Sequence, residues 1–135
     1  MTEGAAMLVL DTSALMAIVL GESTRADIAQ ALNRAGALIM SAGTRVECAV
    51  VARRRGVEAP MRALLDRLAP QIVAVDEAAA LRIDTAYARW GGGPARLNFG
   101  DMFAYDAATS AAAPLLFVGD DFAATDVRSA LEETP

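Results

Sequence analysis

The chain has 135 residues, 55% of them apolar, and a net charge of −5, enough for one domain with a substantial core and a balance that speaks against avid RNA or DNA binding by the chain alone. It has no histidine and no lysine, all twelve cations being arginine, and one cysteine, Cys48; this excludes a Ser-His-Asp triad, an imidazole metal site, a P-loop lysine, a Schiff base, an internal disulfide and a cysteine zinc cluster. No apolar run reaches the roughly 18 residues of a membrane span, and the N-terminal MTEGAAMLVLD lacks a basic n-region, so a cytoplasmic protein is expected, its chemistry left to carboxylate, arginine and hydroxyl groups.

Apolar runs alternate with helical patterns along the chain. Met7 to Leu10 reads as a buried strand and Ser13 to Leu20 as a short helix ending near Gly21. Ser23 suits the cap of a second helix reaching Arg34, with Gly36 as its stop. A strand over Ala37 to Met40 precedes a helix over Thr44 to Arg55, and Pro60 suits the first turn of a helix from Met61 to Leu68. Gln71 to Val75 is a third strand, and Asp76 caps a helix from Glu77 to Trp90. Gly91-Gly92-Gly93-Pro94 opens a loop to Asn98, followed by a helix from Phe99 to Ala112. Leu115 to Val118 is a fourth strand, and Arg128 to Glu133 a last short helix. With no repeat or linker, this alternation predicts a single α/β domain spanning 1–135. A short parallel sheet of four to five strands carries helices on both faces, and sites in such folds form beyond the carboxyl ends of the strands.

Acidic residues recur at those places. Asp11 leaves the first strand; it is either the cap of the next helix or a ligand at a strand exit, the second being favoured. Thr12 and Ser13 could hydrogen-bond its carboxylate or a bound water. Glu47 stands three residues after Thr44, a capping-box spacing, yet its neighbours are apolar, and a carboxylate buried there needs a partner or a metal. Asp101 lies just inside a helix start, where it could simply stabilise the dipole; Gly100 beside it permits close approach of another group, and Asp106 reads as a surface residue. Asp120 and Asp121 follow the fourth strand in Gly-Asp-Asp-Phe, a turn or a ligand pair, and Asp126 reads as a local cap. Cys48 reads as core and Trp90 as helix-end packing; Arg53-Arg54-Arg55 reads as a solvated helix end, with RNA-backbone contact the lesser reading. Converging carboxylates are the usual means of holding Mg²⁺ or Mn²⁺ beside a phosphate.

Three strings in this order, LVLDTSALMAIVLGE (Leu8–Glu22), LNFGDMFAYDAA (Leu97–Ala108) and LLFVGDDFAATDV (Leu115–Val127), with a helical glutamate between the first two, resemble the PIN domain. More closely, the chain resembles the VapC toxins of bacterial toxin–antitoxin pairs over nearly its whole length. The resemblance implies a PIN-like fold and a metal-dependent endoribonuclease. Its acidic set falls on Asp11, Glu47, Asp101 and the Asp120/Asp121 pair, of which Asp121, directly before Phe122, is favoured as the fourth acid with Asp120 as the alternative. Asp11, Asp101 and one of that pair would hold Mg²⁺ or Mn²⁺, and Glu47 a second ion or the attacking water. Met102 stands where relatives often have cysteine. The implied partners are an RNA substrate, a second copy of the chain in a homodimer, and a VapB-type antitoxin whose C-terminal segment covers the acidic groove; neither a membrane nor direct DNA binding is implied.

Two other readings, one enzymatic and one a signalling domain, fail on composition. A phosphohydrolase with Asp11 as nucleophile lacks its second aspartate, Ser13 standing there, and its lysine; a phosphoacceptor domain lacks the same lysine. The remaining alternative is a non-catalytic PIN-like module that binds RNA or protein around a structural acidic cluster.

Overall fold

The four apolar runs pair into one sheet, every neighbour parallel, in the order β3-β2-β1-β4. A computed structural model describes residues 6–131. The strands are β1 (Met7–Leu10), β2 (Ala37–Ser41), β3 (Gln71–Val73) and β4 (Leu115–Leu116). The helices are α1 (Thr12–Val19), α2 (Arg25–Arg34), α3 (Ala42–Arg54), α4 (Glu58–Leu68), α5 (Glu77–Trp90) and α6 (Phe99–Ala111). Alternation of side chains along a strand divides the core in two. Leu8, Leu10, Met40 and Leu116 face α1 to α4, while Val9, Ile39, Leu115 and Phe117 face α5 and α6. The domain is therefore the layered α/β architecture the alternation predicts, with a four-stranded sheet.

Several ends follow from local chemistry. Asp76 caps α5, accepting from the Ala79 amide at 2.9 Å. Pro60 falls in the first turn of α4, where its missing donor is harmless. Ser41, the last residue of β2, also caps α3 by accepting from the Gly43 amide at 3.1 Å, so α3 starts two residues before Thr44. Thr44 is then fully buried within the helix, and Thr44–Glu47 is not a capping box. The α2 cap is Thr24 rather than Ser23 and makes no side-chain hydrogen bond. β3 and β4 are shorter than their apolar runs because Ala74, Val75, Phe117 and Val118 leave the ladder. From Arg128 to Leu131 the chain forms a turn and a β-bridge between Ser129 and Leu115, not the start of a helix; the rest of that expected helix lies outside the described residues.

The strand order places the site. The chain moves one way from β1 through β2 to β3, then returns to the other side of β1 for β4. The switch point of such a sheet, at the carboxyl ends of its strands, leaves a crevice between outgoing loops. Here it lies between β1, which leads into Asp11, and β4, which leads into Gly119–Asp121; the Asp11 amide donates to Leu116 carbonyl at 3.1 Å across the two.

Candidate active site

Asp11 acts both as a cap and as part of a cleft. Its backbone is extended, and both hydrogen bonds it accepts fall on Oδ2: the Ser13 amide at 3.0 Å and the Ser13 hydroxyl at 2.6 Å. The Ser13 hydroxyl in turn accepts from the Val118 amide at 3.0 Å, tying the start of α1 to the exit of β4. Capping α1 thus uses one carboxylate oxygen of a side chain only 4% exposed.

Glu47 sits midway along α3 and reaches the first turn of α1, where the Thr12 hydroxyl donates to its Oε1 at 2.7 Å. Thr12 accepts from the buried Cys48 thiol at 3.6 Å. Burial pushes that thiol up to about 11, so it stays protonated at neutral pH and acts as core. Asp101, 6% exposed, closes a reciprocal capping box with Asn98. Asn98 Oδ1 accepts from the Asp101 amide at 2.9 Å, and Asp101 Oδ2 accepts from the Asn98 amide at 3.0 Å. The Asn-x-x-Asp spacing was the signal for this box, and it makes Asn98 a second wall of the same cleft.

The fourth acid comes from the loop after β4. Gly119, at φ +98°, takes a backbone conformation that favours glycine and turns the chain. Phe122 anchors the loop, buried with its ring 5.0 Å from Phe117. Between them Asp121 lines the cleft and Asp120 does not. The far end of the loop is tied by Asp126, which accepts from the Tyr105 hydroxyl at 2.7 Å; Tyr105 accepts from Trp90 Nε1 at 2.9 Å. Asp126 is therefore a tertiary anchor and not a local cap.

Asp11, Glu47, Asp101 and Asp121 all line one open cleft of about 330 Å³, with Thr12, Ser13 and Asn98 between them and Glu22 and Arg55 also on its wall. Five carboxylates face one guanidinium. The electrostatic strain is visible in two of them. Burial lifts the Asp11 carboxyl to about 6, against the Ser13 hydrogen bonds and with added repulsion from Glu47 and Asp101. Asp101 is lifted to about 6 by burial, with repulsion from Asp121 and Glu47 adding to it and the Asn98 amide opposing it. Among the described residues no three of these side chains close on a common point as the ligands of one ion would; they stand around the cleft, as like charges do. The donors are all hard oxygens, which suits Mg²⁺ or Mn²⁺, and a divalent cation is the species that would relieve the repulsion. The residues present fit such an ion.

Other acids and bases have different roles. Asp106 is buried, not a surface residue, and takes a two-pronged ion pair from Arg82 of α5, Nε to Oδ1 at 2.7 Å and Nη2 to Oδ2 at 3.0 Å. No sequence signal joins two residues 24 apart on separate helices. The arginine triplet divides: Arg55 lines the cleft, Arg53 reaches Glu58 at 3.4 Å on the α4 side, and Arg54 is exposed.

Residues 8–128 match the PIN domain family. Ribonuclease VapC42 of Mycobacterium tuberculosis is 43% identical over 129 residues, covering 91% of this chain and 98% of its own length. Ribonuclease VapC28 of the same organism is 37% identical over 132 residues, covering 93% and 98%. Among solved structures, Mycobacterium tuberculosis VapC20, described as a sarcin-ricin loop cleaving toxin, superposes with a TM-score of 0.73 at 14% identity, covering 89% of this chain and 95% of its own. A toxin–antitoxin complex from Klebsiella pneumoniae gives 0.70 at 21% identity, covering 94% and 99%.

Proposed function

This chain belongs to the PIN domain family, and from that membership we propose that it is a Mg²⁺- or Mn²⁺-dependent endoribonuclease, the cytoplasmic toxin of a VapBC-type toxin–antitoxin pair. The observation that carries the reading is the single cleft onto which Asp11, Glu47, Asp101 and Asp121 face from four separate segments. Relatives named ribonucleases at up to 43% identity support the same activity.

In this reading Asp11, Asp101 and Asp121 would be the residues that hold the ion at the cleft. Asp120 belongs to the turn, where its carbonyl accepts from the Ala123 amide at 3.0 Å. A divalent ion bound there would supply an acidified water and positive charge for the phosphate. Glu47, steadied by Thr12, would orient water for attack on phosphorus; as the bond to the 3′ oxygen breaks, that oxygen takes up a proton, leaving a 5′-phosphate and a 3′-hydroxyl. Ser13 keeps Asp11 aimed by bonding both its carboxylate and the β4 exit. Arg55 is the member of the arginine triplet that reaches RNA beside the cleft. Purified protein cleaves RNA with Mg²⁺ or Mn²⁺ and stops on addition of EDTA; cleavage that persists in EDTA refutes the mechanism, and clean protein inert with either metal favours a non-catalytic module.

Two faces suit two protein partners. The cleft, rich in carboxylates, suits an arginine-bearing antitoxin segment, since guanidinium pairs strongly with carboxylate. On the other flank of α3, Val46 and Val50 meet Phe99 and Phe103 of α6 and Val75 around an apolar groove of about 620 Å³ whose one charged member is Glu47. Phe99 is 80% exposed and Val46 63%, unusual for side chains of this size in an unpartnered surface. We propose that a second copy of the chain covers this face, since burying Phe99 and Val46 removes exposed apolar surface. Phe99→Glu, which sets like charges across a two-fold axis, converts the dimer to a monomer in sedimentation; a wild-type chain already monomeric at micromolar concentration rules the dimer out.

A further inference from the structure

Gly100 has no backbone reason to be glycine. It occupies the first turn of α6, and the glycines with positive φ among the described residues are Gly21, Gly56, Gly93 and Gly119. In a helix, alanine is the better former. What Gly100 does provide is space, because a Cβ built on it would overlap the Glu47 carboxylate. A matching notch stands one turn away on the facing helix, where a Cβ on Gly43 would overlap the Phe103 ring. The two helices thus exchange contacts, α3 giving Glu47 to Gly100 and α6 giving Phe103 to Gly43.

The two notches differ in what fills them. Phe103 meets Phe99 edge-on, centroids 5.1 Å apart, and a Cβ on Gly43 would overlap the base of its ring, so filling the Gly43 notch must displace the whole ring. Glu47 ends in a flexible chain whose other carboxylate oxygen is held by Thr12 at 2.7 Å. Filling the Gly100 notch moves that carboxylate and leaves the helices in place. We propose that Gly100 is a positioning residue for the reaction: its missing side chain forms, with the Thr12 hydroxyl, the socket that holds the Glu47 carboxylate at the cleft. The inference rests on the reading of the cleft as a metal-dependent nuclease.

The test is G100A in the full chain, beside G43A, E47D and the double variant G100A/E47D. G100A keeps or raises the metal-free thermal midpoint, lowers kcat on an RNA substrate by about tenfold or more with a smaller change in KM, and weakens Mn²⁺ binding measured by calorimetry without RNA. G43A lowers the midpoint instead. Shortening the displaced side chain makes room for the new methyl, so G100A/E47D recovers part of the kcat lost in G100A, although E47D alone is impaired. Wild-type kcat and Mn²⁺ affinity in G100A overturn the proposal, as does a double variant no better than G100A. The crystal structure of G100A decides the positioning itself, whatever the activity: a Thr12–Glu47 hydrogen bond retained at its present length overturns it. Failure of the nuclease reading is separate, since it would be seen in the wild-type protein as cleavage resistant to EDTA or absent altogether.

Discussion

Asp11→Asn and Asp101→Asn each lower RNA cleavage by more than about 100-fold, because even partners behind a metal ligand are worth 10- to 100-fold and these two residues are proposed as the ligands themselves. The loss is not one of folding. Asparagine is as good a cap as aspartate, so at Asp11 it can still accept from the Ser13 amide and hydroxyl through its one carbonyl oxygen. At Asp101 it can still accept from the Asn98 amide and keep the capping box. What each variant removes is the negative charge facing the cleft. Induction of the wild-type chain arrests growth and the two variants do not; cleavage assays with purified, folded protein give the same ranking. Full toxicity in both variants would remove Asp11 and Asp101 from the catalytic assignment. An Asp120→Asn variant keeps its activity, because that side chain does not line the cleft, whereas Asp121→Asn loses it.

The same charges cost stability while no cation is bound. Asp11 titrates at about 6 in the folded chain against 3.8 for the free group, so between those values the folded state binds more protons than the unfolded one. Stability from this group is therefore complete below about pH 4 and is lost as pH rises through 6. The difference between about 6 and 3.8 corresponds to about 3 kcal/mol. Asp101 shifts in the same direction and adds less, its carboxylate facing the open cleft. In EDTA, Asp11→Asn is thus more stable than the wild type at pH 7.5 by up to about 3 kcal/mol, and the gap narrows toward pH 4. Mg²⁺ bound as proposed narrows the gap, since mass action stabilises the folded wild type by about 2.7 kcal/mol at 100 times Kd. Denaturant melts of both proteins at the two pH values, with and without Mg²⁺, measure all four terms. A gap that does not change with pH would mean that the Asp11 carboxylate is not desolvated as its burial implies.

Elements whose signals are local were legible in the sequence. The strands stand where apolar runs stand, Asp76 caps α5, and Pro60 sits in the first turn of α4, because periodicity and end chemistry act over a few residues. Composition was equally direct: without histidine or lysine, the polar chemistry had to rest on carboxylates, arginines and hydroxyls. Asp11 stood out for the same reason, since a strand exit is itself a local feature.

Tertiary structure decided what depends on where a side chain points after the chain has turned. Asp120 and Asp121 are adjacent in sequence, and only the turn at Gly119 with the Phe122 anchor selects which one lines the cleft. Glu47 had a respectable reading as half of a capping box, and it lost that reading when Ser41 took the cap and moved the helix start. Its partner, Thr12, is 35 residues away, and the notch that receives it belongs to a third element. Asp106 found Arg82 across two helices and Asp126 found Tyr105 across a loop, neither pairing carrying a signature in either segment alone. Sequence spacing encodes neighbours within a turn or a strand. The placing of groups from the exit of β1, α3, α6 and the loop after β4 around one cleft is set by the parallel sheet order and the close approach of α3 and α6, which exist only once the core has packed.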